Sequence, residues 1–349
     1  MAYASITKPS LHFNTKLYTG NGGTNAITGV GHQPDFTWLK RRDGTSYWWQ
    51  QDAVRGVTKA IYSNSSEAEG TQNYGITSFN SDGFTLGNSG DVNGNSNSYV
   101  SYNWKANGSG SANTDGSINS TVSVNNTAGF SIVTYTGNNT NGATVGHGLG
   151  VAPAMVIFKN RGSTNSWHVY HKDLSTPQTS LLLLDTTGAT YTSNNYMSGT
   201  VPSSSLLYLG NTGSTNENGV NHIAYCFAEK TGYSKFGKYI GNGNADGTFI
   251  YTGFKPAFVI TKASSTAQSW QMSDNKRDTF NAVDHRLRPN EMGAESTSPE
   301  WIDFCSNGFK LRNNDVAWNG SGASYIYMAF AEEPLVANSG SNGVPATAR

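Results

Sequence analysis

The sequence predicts an all-β chain built as three tandem antiparallel β-sandwiches, jelly-roll or lectin-like, each of about 100 residues. Three observations lead there. A set of landmarks recurs three times at nearly constant spacing, apolar positions alternate with a period of two, and turn-forming residues bound every strand-like run.

Each copy opens on a strand-like segment, "KLYTGNG", "IVTYTGNN" or "GKYIGNG", that places Tyr18, Tyr135 and Tyr239 alike. A Gly-x-x-Pro corner follows at Gly31/Pro34, Gly150/Pro153 and Gly253/Pro256. Six residues past each proline stands Lys40, Lys159 or Lys262, and eight further on Trp48, Trp167 or Trp270. Then comes an alternating triplet, Phe84-x-Leu86-x-Asn88, Leu207-x-Leu209-x-Asn211 and Phe309-x-Leu311-x-Asn313. An aromatic strand closes each copy at Trp104, Phe227 and Phe330. In the corner strands Phe36 and Trp38 share a face, as do Met155 and Ile157, and Phe258 and Ile260. The other face, at Thr37, Val156 and Val259, reads as partly covered. Stretches such as "GNGG", "NSDG" and "NADG" are turns in which Gly takes positive φ and Asn or Asp forms Asx-turns. No amphipathic helix of ten residues or more is expected, and segments such as 278–293 have room for a short one. Three propeller blades would not close a ring, so the sandwich is the repeat architecture to expect.

The landmarks divide the chain into a first sandwich with a short N-terminal arm (residues 1–106), a second (128–230) and a third (231–333). Residues 107–127, rich in Gly, Ser and Asn, read as a flexible linker that leaves the first repeat freer than the other two. Residues 334–349 read as a polar tail.

Charged residues make up only 13% of the chain, about half the usual share, and the net charge is zero. A chain without a positive field is a poor partner for nucleic acid. No apolar run approaches the ~20 residues that span a bilayer, and "MAYASITKPSLHF" lacks the basic and apolar regions of a secretory signal. The expectation is synthesis in a cytoplasm with no membrane insertion. Cys226 and Cys305 hold non-equivalent places, so two thiols are expected rather than a disulfide.

The motifs of catalysis are missing. There is no phosphate loop, dinucleotide fingerprint, nucleophile elbow or zinc-type cluster, so no cofactor and no enzyme is expected. His168 and His171, three apart on a strand, face opposite sides. The acids Glu67/Glu69 and Glu295/Glu300/Asp303 fall in loops of different repeats, without the fixed pair a glycosidase needs. Two loops imitate calcium sites, one with Asp91 and Asn93, the other with Asn242 and Asp246. Both lack the acidic residue at position twelve and read better as Asn/Gly hairpins. Trp48, Trp167 and Trp270, kept in register by three diverged copies, read as core. Tyr47, Trp49, Trp301 and Trp318 have no counterparts and are the candidates for a surface that stacks on glycan, with anchoring of their own loops as the plainer alternative.

Taken together, "YTGNG…GVGHQPDFTWLK", the closing "YIYMAFAEEP" and the "GVPATAR" end resemble a family of uncharacterised repeat domains found in structural proteins of marine tailed bacteriophages. The first copy departs from it, closing on "YNWKA" in place of "AFAE". The resemblance implies a virion component, fibre- or decoration-like; with the missing catalytic motifs, the expectation is a non-enzymatic virion-surface protein of tail-fibre or adhesion type, with capsid decoration or a glycan-binding lectin module as alternatives. The expected partners are other virion proteins, further copies of the chain and a host-surface glycan.

Overall fold

The computed structural model describes residues 4–334, and residues 335–349 of the expected polar tail lie outside the described residues. The chain is almost all-β and is organised into several antiparallel sheets. The landmark spacing is realised as one strand order repeated three times: opening strand, closing strand, corner strand, tryptophan strand. The opening strands are Phe13–Thr19, Phe130–Thr136 and Ser234–Ile240. The closing strands are Ser98–Trp104, Asn221–Phe227 and Ser324–Pro334, and the corner strands Phe36–Arg41, Met155–Asn160 and Phe254–Ala263. The fourth strands, Trp49–Asp52, His168–His171 and Gln271–Asp274, each begin one residue after the recurring tryptophan. Register repeats as well: Phe36 pairs with Trp104, Met155 with Phe227, and Phe258 with Phe330. The corner glycines earn their place, since Gly31, Gly150 and Gly253 have φ of 90°, 71° and 83°, a conformation that a side chain disfavours.

A smaller sheet lies across each of these. It holds the triplet strands Gly83–Leu86, Leu206–Leu209 and Gly308–Leu311. Phe84, Leu86, Leu207, Leu209, Phe309 and Leu311 are fully buried between the paired sheets, in three private cores. The segment 278–293 contains a strand, Val283–Arg286, in place of a short helix.

A fourth core joins the three copies, and it corrects the picture of separate sandwiches. Phe36, Trp38, Met155, Ile157, Phe258 and Ile260 do not face their own small sheets. They meet in one cluster with all three recurring tryptophans. At its centre the closing aromatics form a triangle: Trp104 and Phe227 have ring centroids 6.0 Å apart, Trp104 and Phe330 5.8 Å, Phe227 and Phe330 6.3 Å. Corner strands are therefore buried on both faces. That is why "AMVIF" reads as a nearly continuous apolar run rather than a clean alternation.

The expected linker is also corrected. Within residues 107–127, Ser111–Asn113 and Ser120–Asn125 are strands, the second pairing with the opening strand of the second copy from Ser120↔Tyr135 to Asn125↔Phe130. Ile118 and Val122 enter that copy's private core. The β-branched alternation in "STVSV" outweighs the surrounding Gly, Ser and Asn. The first copy is not free; it packs against both others, and the N-terminal arm buries Ile6 in the shared core.

One recurring residue escaped the sequence reading. Asn93, Asn216 and Asn319 each stand eleven residues before the closing aromatic and are fully buried. Asn216 donates through Nδ2 to Thr140 O (3.0 Å) and Gly210 O (2.8 Å), while its Oδ1 accepts from Asn138 N (2.8 Å). Asn93 and Asn319 pin the equivalent loops the same way. Asn216→Ala strands Asn138 N and Gly210 O, leaves Thr140 O with Ala143 N alone, and should cost about 1–3 kcal/mol, read as a lower denaturation midpoint at unchanged m-value. A change below about 0.5 kcal/mol would show that the loop holds without its staple.

Candidate functional site

The three junctions between copies bring the recurring polar residues together. Each lysine and each tryptophan reaches into the neighbouring copy. Trp48 Nε1 donates to Arg288 O (2.9 Å) in the third copy, Trp167 Nε1 to Tyr62 O (2.9 Å) in the first, and Trp270 Nε1 to Leu183 O (2.9 Å) in the second. Lys40 Nζ donates to Met292 O (3.0 Å), Lys159 Nζ to Ser66 O (2.8 Å) and Lys262 Nζ to Thr187 O (3.2 Å), following the same circuit. The first copy thus grips the third, the third the second, and the second the first. The ring closes. Burial lowers all three lysines to about 8, so at neutral pH each remains an ammonium caged largely by backbone carbonyls.

Two junctions add a buried charge network that sequence spacing did not reveal. Between the first and second copies, Asp52 Oδ2 lies 2.5 Å from Arg55 Nε with both side chains fully buried, and Tyr225 OH donates to the same oxygen (2.8 Å). Arg55 continues to Glu69 (3.1 Å), which also takes a two-pronged contact from Arg161 (2.9 and 3.0 Å). Between the third and first copies the set recurs: Asp274 with Arg277 (2.5 Å), Tyr102 OH to Asp274 (2.8 Å), and Glu295 with Arg277 (3.2 Å) and Arg42 (2.8 and 3.0 Å). Burial opposes the Asp274 charge, yet Arg277 holds its carboxyl below the usual range. Burial likewise opposes the charge on Arg55, and Asp52, Tyr225 and Glu69 more than offset it. Glu69 and Glu295 were expected to be unrelated loop acids. They hold equivalent places, Glu69 N donating to Arg161 O and Glu295 N to Arg42 O.

The junction between the second and third copies carries none of these charges. By register His171 replaces the aspartate, Leu174 the first arginine, Met328 the tyrosine, Ser264 the second arginine and Thr190 the glutamate. Thr190 N still donates to Ser264 O (2.9 Å), so the backbone arrangement is kept while the ions are gone. His171 is fully buried and near Tyr327 O (3.2 Å) through Nε2, while its Nδ1 accepts from Asp173 N (3.2 Å), which defines a neutral imidazole. Burial pushes His171 down to about 3, and His32, His168 and His222 to about 4. An unfolded chain protonates its histidines near pH 6.5, so it binds more protons than the folded chain from there down to about pH 4. Their contribution is complete above pH 6.5 and is lost as the pH falls through that window. The melting temperature should therefore drop between pH 6.5 and 4, and a flat profile there would contradict neutral buried imidazoles.

The glycan-stacking candidates are corrected by burial. Trp318 and Trp301 stack on each other inside the third private core (centroids 6.2 Å, Trp301 5% exposed), Trp49 lies in the first, and half-buried Tyr47 packs on Tyr62 (4.9 Å). Exposed rings stand elsewhere: Phe249 (44%) and Tyr251 (58%), two apart on the edge strand Phe249–Tyr251. Nothing in their sequence context distinguished them.

The calcium-like loops are occupied by their own side chains. Asn93 is the staple already described, and Asp91 stands in the helical turn Gly90–Asn93 before the closing strand. Asn242 donates to Asp246 O (3.1 Å) and accepts from Asn319, while the Asp246 carboxylate pairs with Lys310 (2.7 Å). His168 and His171 have separate surroundings, His168 beside Tyr191 OH (3.2 Å). Asp278, Asp284 and His285 bring ligand atoms within 4.8 Å of one another, with His285 Nδ1 2.5 Å from Asp278. Cys226 and Cys305 are free thiols, and no helix among the described residues is long and apolar enough to cross a membrane.

The chain belongs to the family whose model is described as a domain of unknown function, DUF7483, which matches residues 8–334. No curated protein and no solved structure matches it. The matched region spans all three copies.

Proposed function

We propose that this chain is a non-enzymatic structural protein of a virion surface, of tail-fibre or adhesion type. On this reading its three copies are β-sandwiches of jelly-roll or lectin type, fused on the shared core. The observation that carries the proposal is the closed circuit of Trp48, Trp167 and Trp270 donating from copy to copy. A chain locked into a ring by buried aromatics holds its shape without a disulfide, as a particle component released from cells must. Its best-placed acids are committed to arginines: Asp52, Glu69, Asp274 and Glu295 all serve the junctions, which supports a reading without acid–base catalysis. Partners are then other virion proteins, further copies of the chain and a host-surface glycan, with the outer sheets and loops as contact surfaces.

The test is immunogold electron microscopy of particles from cells that carry the gene, with antibodies raised against the purified chain. Gold on tails is expected. Gold on heads would assign a capsid-decoration role instead, and particles left unlabelled would overturn a virion role of either kind.

A further inference from the structure

The second-to-third junction is the odd one of three, and it is left open. At the first-to-second junction Arg161 and Glu69 clasp each other across the gap, as Arg42 and Glu295 do between the third and first copies. Replacing that pair by Ser264 and Thr190 removes two long side chains, and the sequence does not fill the space. A cleft of about 190 Å³ remains, lined by Asp173, Thr190, Lys238, Ser264, Ser265 and Ser324.

We infer that this cleft is a binding site for one sugar residue of a neutral glycan. Four features of its chemistry support that class. Hydroxyls dominate the lining, and hydroxyls exchange donor and acceptor roles with a polyol as no fixed charge can. Some are already oriented: Ser265 Oγ accepts from Ser324 N (2.9 Å), which leaves its own proton to donate, and Ser264 Oγ donates to Ser324 O (3.0 Å). Thr190 Oγ1 is buried without a hydrogen-bond partner, a cost relieved when the threonine side chain turns to present its hydroxyl to a ligand in the cleft. One carboxylate, Asp173, and one ammonium, Lys238, balance each other, so the site carries no net pull for an anion. The volume is below the ~300–1,000 Å³ of clefts for drug-sized ligands and suits a single monosaccharide. The inference concerns the isolated chain and does not depend on where the chain sits on a particle, so either idea can fail while the other stands.

The internal comparison supplies the test. Thr190→Glu combined with Ser264→Arg rebuilds in the open junction the pair its two sisters already hold, so the double variant should fold and fill the cleft. Saturation-transfer NMR of the full chain with methyl mannoside, methyl galactoside, methyl N-acetylglucosaminide and inorganic phosphate reads binding directly. At least one glycoside should bind at about millimolar Kd, typical of a single weak site. Binding should fall at least tenfold in the double variant and in Asp173→Asn, persist in Tyr251→Ala, on an edge strand that does not line the cleft, and be absent for phosphate. Absence of glycoside binding would overturn the site. So would binding that survives both the filled junction and Asp173→Asn, or a site that takes phosphate alone. If the double variant fails to fold, Asp173→Asn, at a half-exposed residue, decides the matter.

Discussion

Trp167→Ala should lower the stability of the whole chain by about 3–5 kcal/mol, and the loss should appear in one cooperative transition. Trp167 is fully buried, so its removal leaves a cavity in the core that all three copies share. It also withdraws the donor that reaches Tyr62 O (2.9 Å) and Ser65 O (3.1 Å) of the first copy, and the ring that faces Lys159 Nζ at 5.8 Å. Three independent sandwiches would confine the damage to the second copy and give two unfolding steps. A shared core spreads it. Denaturant titration followed by both tryptophan fluorescence and far-ultraviolet circular dichroism distinguishes the cases. Coincident curves shifted to lower midpoint are expected, and separate transitions would overturn the shared core.

The features legible in the sequence were those that act within one copy. Spacing located the strands, the corners and the buried tryptophans, because strand period and turn chemistry are local. The relation between copies was hidden by an ambiguity in that same pattern. A strand buried on both faces and a strand half covered by loops both look apolar at most positions, so Val156 and Val259 suggested partial cover where two cores meet. Aromatics without counterparts were assigned to the surface. Trp301 and Trp318 instead fill a private core whose jigsaw differs from the others, since each copy needs only the right volume and not the same residues. The staple asparagines could have been found, as their interval to the closing aromatic is constant. The junction acids could not, because Glu69 and Glu295 lie in loops of different length and are brought into register only by the ring.

Asp52→Ala should cost about 3–5 kcal/mol, although the side chain it removes is small. The loss comes from what is left behind. Arg55 is fully buried and would keep only Glu69 as a counter-charge, while Tyr225 OH and Arg55 N would lose the acceptors they now reach at 2.8 and 2.9 Å. The protein already contains a neutral solution to the same geometry, in which Met328, His171 and Leu174 stand for tyrosine, aspartate and arginine. Transplanting it as Asp52→His, Arg55→Leu and Tyr225→Met should cost less than Asp52→Ala alone. The imidazole would meet Ala224 O and Val54 N, the counterparts of the groups that flank His171, and no buried charge would be left without its partner. Chemical denaturation of the two variants side by side decides the point. If the triple variant is the less stable of the two, the charge network is worth more than its neutral replacement, and the open junction is then a stability sacrificed for the cleft beside it.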